Sequence, residues 1–268
     1  MVASLNQSPL LTLDALSSCG VVLPTEARAA LDTSLTLKAR ELGVQAFLLW
    51  GKFTTSSGRD YYIARAYNGT KRVEGKVIVN PGNKFYYSTD CAEWLDLEPV
   101  DGKLGELCGL IDGKRWLTGD PAHEYTVTEQ PPTPAPDPET GEEAPTPDPV
   151  EHTLTELQRM MATINKINSE TACAPDGMYV TDAAGNYVAK PGFFVRYPDQ
   201  LSSYVAPTGN LGKAAPGTWG LVWDSFKRVA TLRSFAYPGF FAYYSSASNT
   251  AGNLYFGNGL RNEEVGFV

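Results

Sequence analysis

The chain has 268 residues, of which 43% are hydrophobic and 11% aromatic, enough for one large folded domain or two small ones. Its formal net charge is −8, but residues 129–151 hold seven acidic and no basic residues, and the 23 acidic residues outside them nearly balance the 22 basic ones. The absence of a basic stripe argues against nucleic-acid binding. With no run of about 18 apolar residues and no basic signal-peptide region, we expect no membrane span and a cytoplasmic location.

The N-terminal part begins with two predicted helices. Leucines between Leu10 and Leu16 indicate a short apolar helix that Gly20 ends. A longer helix is predicted from Glu26 to Leu42, with Gly43 as its stop. Its apolar positions are irregularly spaced, which indicates a broad apolar face rather than a coiled-coil seam.

A meander of strands follows the helices. Ala46–Phe53 is predicted to be a strand with two apolar faces, and Asp60–Tyr67 its hairpin partner. We predict a tight turn at Asn68-Gly69. Val77–Val79 and Lys84–Ser88 are predicted to extend this meander.

The middle of the chain changes composition sharply. Between Pro131 and Pro149 lie eight prolines among acidic residues, Thr and Ala, which predicts an extended, solvated insertion. Thr153-Leu-Thr-Glu156 fits a capping box, and apolar residues from Leu154 to Ile167 at helical spacing predict an amphipathic helix. Met178–Thr181 and Asn186–Ala189 are predicted to form a hairpin.

Residues 216–259 dominate the C-terminal part. Four short aromatic and β-branched runs, separated by turn residues, predict consecutive antiparallel strands. Because the third run carries aromatic residues on both faces, the sheet needs two covers, supplied by this chain or by a partner. We therefore predict aromatic protein-interface candidates in the two meanders: Trp50, Tyr61, Tyr62, Trp219, Trp223, Phe235, Tyr237, Phe240, Phe241, Tyr243, Tyr244 and Tyr255.

The predicted fold class is α+β: antiparallel β-meanders with an N-terminal helical segment and one central amphipathic helix. Three parts are expected: 1–128 with the helices and first meander, 129–150 as a flexible insertion, and 151–268 with the central helix and second meander. The two ordered parts could equally form one domain.

Motifs for catalysis or cofactor binding are not found. The four cysteines are scattered without a C-x-x-C pair, which favours buried reduced thiols over a zinc or redox site. Neither His123 nor His152 lies in a known catalytic or metal-binding spacing. Asp120 and Glu124 are available as partners for His123, and His152 is expected to be solvated beside a helix cap. We predict no catalytic, cofactor-binding or metal-binding residue, and no enzyme activity.

Several blocks resemble the radial spoke head proteins of cilia and flagella. They are Leu49–Lys52 with Asp60–Ala64, Cys91–Trp94, Gly119–Pro121 with His123–Tyr125, Leu154–Ile167 with Pro175–Gly177, and Trp219–Gly259. Their shared order and spacing over nearly the whole chain are specific, although each block alone is weak. Tyr237 departs from the family, which usually has Trp before the Pro-Gly step. The chain's length favours the shorter members over the much longer head proteins 4 and 6.

The resemblance implies a non-catalytic subunit of the spoke head in the axonemal cytoskeleton. Its implied partners are a head protein of the 4/6 type, in a heterodimer, the MORN-repeat head subunits, and central pair projections by surface contact. The implied role is support of head assembly and of mechanical signalling from the central pair to the dynein arms. The main alternative from the residues is a β-rich module that binds a small molecule or carbohydrate, and an enzyme ranks third.

Overall fold

The computed structural model describes residues 10–44, 46–67, 69–73, 76–80, 84–111, 116–130, 148–181, 187–215 and 217–265. The helices are α1 (Leu11–Leu16), α2 (Thr25–Leu42), α3 (Gly102–Gly109) and α4 (Glu156–Thr171). The strands are β1 (Ala46–Phe53), β2 (Tyr61–Tyr67), β3 (Gly69–Val73), β4 (Lys76–Asn80), β5 (Phe85–Ser88), β6 (Leu95–Leu97), β7 (Glu124–Glu129), β8 (Val150–Thr155), β9 (Ala174–Pro175), β10 (Tyr179–Thr181), β11 (Tyr187–Ala189), β12 (Tyr204–Ala206), β13 (Gly209–Asn210), β14 (Trp219–Asp224), β15 (Val229–Ser234), β16 (Phe240–Ser245) and β17 (Thr250–Gly257).

One eight-stranded sheet joins the two predicted meanders. Its order is β14-β15-β16-β17-β1-β2-β5-β6, and every neighbouring pair is antiparallel except β1 and β17. The parallel pair aligns Gly51 with Tyr255 and Phe53 with Gly257. The α+β class and the hairpins β1–β2 and β10–β11 are confirmed. The division of the chain at residues 128 and 150 stays a prediction.

Glycine is required where β1 meets β17. A Cβ on Gly51 would lie 2.1 Å from the carbonyl oxygen of Tyr255, far inside van der Waals contact. The β1–β2 register also shifts between Leu49 and Gly51. This bulge moves the side chains that follow it to the other face, which explains why β1 is apolar on both faces.

The sheet carries a hydrophobic core on each face. The first core places Phe47 and Leu49 of β1 against leucines of α1 and α2, including Leu31 and Leu35. The second core lies on the opposite face. It combines strand side chains with α4 and the segment after it, and its helix residues are Met160, Met161, Ile164 and Ile167. The central helix predicted from the sequence therefore covers the sheet.

The start of the central helix differs from the prediction. The capping box is formed by Thr155 and Gln158, and the residues before it belong to β8. Leu154 is thus a strand residue, buried in a third cluster with α3 and β7. The apolar spacing of Leu154 matched a helical period by coincidence, because a strand runs directly into the helix.

Two features of the N-terminal part also differ from expectation. Val77–Val79 does not extend the meander: β4 pairs with β3 in a separate hairpin, and β5 pairs with β2. Gly69 begins β3, while Asn68 of the predicted turn lies outside the described residues. The segment that follows Trp94 contains β6 and α3, neither of which was predicted.

A buried carboxylate connects α4 to the loop before β7. Glu156 is fully buried; its Oε1 accepts hydrogen bonds from Thr118 N (2.6 Å) and Gly119 N (3.1 Å), and its Oε2 accepts one from the Tyr125 hydroxyl. Arg159 donates to the same hydroxyl at 2.9 Å. These donors compensate the cost of removing the charge from water.

We predict that Gly51→Ala destabilises the whole chain, because the added methyl group must displace the Tyr255 carbonyl where the two meanders join. Its free energy of unfolding, measured by urea titration, should fall by about 2–4 kcal/mol. Gly105→Ala is the matched control, since its Cβ would meet open space in α3. A Gly51→Ala variant as stable as the control would contradict the close approach.

A second prediction concerns alkaline pH. Burial raises the pKa of Tyr255 from 10.0 to about 12, although the hydrogen bond from Gly259 N to its hydroxyl opposes the shift. Because the unfolded chain releases this proton near pH 10, stability should be lost between pH 10 and 12. Over that range the wild-type free energy of unfolding should fall faster than that of Tyr255→Phe, by about 1 kcal/mol per pH unit. The difference between the two proteins should be constant from about pH 7 to 9, where the tyrosine is protonated in both states; parallel profiles above about pH 10 would refute the assignment.

Candidate protein interface

The twelve interface candidates divide into two groups by exposure. Seven are buried within the chain itself: Trp50, Tyr61, Tyr237, Phe240, Tyr243, Tyr244 and Tyr255. Five are partly exposed: Tyr62, Trp219, Trp223, Phe235 and Phe241. A partner can contact the second group without opening the core, so these five remain the interface candidates.

Hydrogen bonds show why several buried candidates serve the core. Trp50 Nε1 donates to Asn168 of α4 at 3.0 Å, and the Tyr237 hydroxyl donates to Glu170 at 3.1 Å. Both bonds fix the sheet to α4. Burial raises the pKa of Tyr237 above its usual range, helped by the charge of Glu170.

Three of the exposed candidates share one face of the sheet with Phe256, and together they form what we call the aromatic band: Tyr62, Phe235, Phe241 and Phe256. Lys52 links two of them, since it aligns with Phe256 on one side and Tyr62 on the other. Tyr62, Phe241 and Phe256 pack against the core that α1 and α2 form on this face, and each stays partly exposed. Phe256 was not among the predicted residues, although its strand was.

Cations accompany the aromatic band. The Arg233 guanidinium lies 5.3 Å from the centre of the Phe235 ring, and Lys52 Nζ lies 5.8 Å from that of Tyr62. Lys52 also pairs with Asp60 at 2.7 Å. Half-exposed aromatic rings beside cations are typical of protein interfaces, where Tyr, Phe and Arg are enriched.

Trp219 and Trp223 lie on the opposite face. Both are half-buried against the core shared with α4, and Trp219 meets Phe240 edge-on with ring centres 6.0 Å apart. They belong to β14, which is an edge strand of the large sheet. The same strand exposes 58% of Val222 on the face of the aromatic band.

The residues considered for catalysis have structural surroundings. The exposed His123 ring packs edge-on against Tyr125 at 4.6 Å, and burial raises the pKa of Tyr125 to about 12, with its hydrogen bond to Glu156 adding to the shift. His152 is a β8 residue whose Nε2 lies 2.9 Å from Glu129, not the expected neighbour of a helix cap. A groove of about 400 Å³ lies between residues 123–128 and the end of α3, at Leu110 and Ile111.

The four cysteines all lie in the described part of the chain. All four cysteines are free, as expected; Cys91, Cys108 and Cys173 are buried, whereas Cys19 is only half-buried. Burial raises the pKa of the Cys173 thiol to about 12. The described ranges contain no group of three or more His, Cys, Asp and Glu residues placed to hold a metal ion. Among the described helices, none is long and apolar enough to cross a membrane.

Comparison with known proteins gives a consistent result over nearly the full length. No protein-family model matches the chain. A radial spoke head protein 9 homolog from Xenopus tropicalis is 30% identical over 286 residues, covering 96% of this chain and 97% of that protein. Homologs of the same name from Danio rerio and Homo sapiens are 26% and 25% identical, each covering at least 96% of both chains. The chain therefore belongs to the radial spoke head protein 9 family.

Proposed function

We propose that the chain is a structural, non-catalytic subunit of the radial spoke head in the axoneme of a cilium or flagellum. The observation that carries this proposal is the 30% identity to a radial spoke head protein 9 homolog over 96% of the chain. The surroundings of His123 also support it. Its ring packs on Tyr125, whose hydroxyl belongs to the buried network of Glu156, and a buried network bonded to backbone amides suits a structural role.

Within the head, we assign the aromatic band to the contact with a head protein of the 4/6 type. The band is the part of the sheet where large apolar rings remain half-exposed beside two cations, Lys52 and Arg233. A partner that covered Phe241 and Phe256 would complete the layer that α1 and α2 begin on this face. Such central, desolvated aromatic residues are the ones that dominate binding energy in protein interfaces.

The remaining surface would then meet the MORN-repeat head subunits and the central pair projections. In this role the chain supports head assembly and transmits mechanical contact from the central pair towards the dynein arms. A sheet with helices packed on both faces suits that task, because close-packed layers deform little under load.

We predict that changing the aromatic band weakens binding to a purified head protein of the 4/6 type. Phe235→Ser combined with Phe256→Ser should raise the dissociation constant by about tenfold or more, because two ring contacts are lost. Isothermal titration calorimetry would measure this. The control is Phe194→Ser, which changes a ring that is 74% exposed on a loop covering the other face.

Two outcomes decide the band prediction. An equal loss in the control and the band variant would contradict the assignment of this surface. If the unaltered chain does not bind the 4/6-type protein and does not co-purify with head subunits from axonemal extracts, the proposed function itself fails.

We also predict that the Pro-rich acidic segment is dispensable for assembly. Residues 131–147 lie outside the described residues, but the strands that flank them pair directly, with Glu129 opposite Val150. Replacing these residues with a short Gly-Asn turn should leave the β7–β8 hairpin and spoke-head assembly intact, because the hairpin ends already meet. Loss of spoke-head assembly in cells that express this variant would show that the segment is structural. Cells that express the unaltered chain in the same way are the control.

A further inference from the structure

Among the strands that the structure describes, β14 has a neighbour on one side only, so it forms an edge of the large sheet. It pairs in continuous register with β15 over all six of its residues, without a bulge, and contains neither proline nor lysine. The opposite edge, β6, has three residues and carries an ion pair of 2.8 Å between Lys84 and Asp96. Natural proteins usually protect edges as β6 is protected, so a long, regular and apolar edge is a site for adding another strand.

Because Gly220 has no side chain, the side chains of Arg233 and Phe235 can lie over one face of this edge strand. A Cβ at Gly220 would lie 3.1 Å from both Arg233 Nε and the Phe235 ring. The Arg233 side chain, whose guanidinium lies 5.3 Å from the centre of the Phe235 ring, thus reaches from β15 over Gly220 of the edge strand. A carboxylate on an added strand opposite Gly220 would meet this guanidinium.

The same strand supplies such a carboxylate. Asp224 lies on the same face of the strand as Gly220 and Val222. Gly220 comes two residues before Val222, and Asp224 comes two residues after it. Its Oδ1 accepts hydrogen bonds from Phe226 N and Lys227 N, each 3.0 Å long, which fix the carboxylate at the end of the strand. The pattern around Val222 is therefore self-complementary.

We infer that β14 is an interface for a second copy of this chain, paired antiparallel about a two-fold axis at Val222. In this register Val222 faces its counterpart, and Gly220 faces the second copy's Asp224. Opposite Cβ positions in an antiparallel pair are about 5 Å apart, which brings the carboxylate within reach of Arg233. On the other face, Leu221 meets the second copy's Trp223, joining the two apolar rows.

The two-fold pairing also closes the assembly. Each copy uses its β14 edge once, and the charged three-residue β6 remains at both outer ends. An isologous interface of this kind gives a dimer rather than a fibre. Self-pairing is independent of the spoke-head assignment, because it requires no other protein.

Sedimentation equilibrium of the purified full chain tests the inference. The chain should dimerise, and Arg233→Glu or Asp224→Lys should each raise the dimer dissociation constant by about tenfold or more, since like charges then oppose each other. Asp224→Asn is the fold control, since its amide oxygen keeps the two turn hydrogen bonds.

Mixing the two charge variants should restore dimers. In a mixed dimer, the glutamate introduced at position 233 of one copy faces the lysine introduced at position 224 of the other. The second contact keeps the native Asp224 and Arg233, so both contacts are again attractive.

Val222→Glu is a second variant that tests the same interface. It keeps the turn hydrogen bonds of Asp224 and places two carboxylates opposite each other at the two-fold axis. It should also be monomeric, with an unchanged far-ultraviolet circular dichroism spectrum. A wild-type chain that stays monomeric up to about 100 μM, well above a dissociation constant of about 1 μM, would overturn the inference. Dimers that persist in both charge variants, or a mixture that stays monomeric, would overturn it equally.

Discussion

The pairing of β1 with β17 is the contact on which the rest of the structure depends. It is the one parallel pair in the large sheet, and it joins strands about 200 residues apart in sequence. Without it, each meander would expose an apolar edge. Gly51 makes the pairing possible, because any side chain there would collide with the carbonyl of Tyr255.

The same junction distributes side chains between the two cores. The bulge at the middle of β1 sends Phe47 to the core under α1 and α2, and Phe53 to the core under α4. Trp50 then ties the strand to α4 through its hydrogen bond with Asn168. One strand thus takes part in both layers, which explains why its sequence lacks a polar face.

Polar anchors complete the arrangement around α4. Glu156 at its first turn holds the loop before β7 by backbone amides, and Glu170 in its last turn binds Tyr237 and Arg261. The helix is therefore fixed at both ends by a carboxylate. The two proposed contacts are assigned to parts of the sheet that these anchors do not involve, the partly exposed aromatic band and the edge strand β14.

Local patterns were sufficient to predict much of this fold. Short-range signals, such as glycine stops, turn residues and runs of β-branched and aromatic residues, predict the helix ending at Gly43, the β1–β2 hairpin and the C-terminal meander. The limits of such prediction appear at Leu154 and at Val77–Val79, where a local period was compatible with more than one partner.

What the sequence by itself determined is the set of elements and the aromatic surplus of its strands. The tertiary structure decided which strands are neighbours and which aromatic residues are exposed. Tyr61 and Tyr62 illustrate the reason: adjacent in sequence and similar in chemistry, one is fully buried and the other is half-exposed. Alternation assigns them to opposite faces, but only the packing of α1, α2 and α4 determines how far each face is covered.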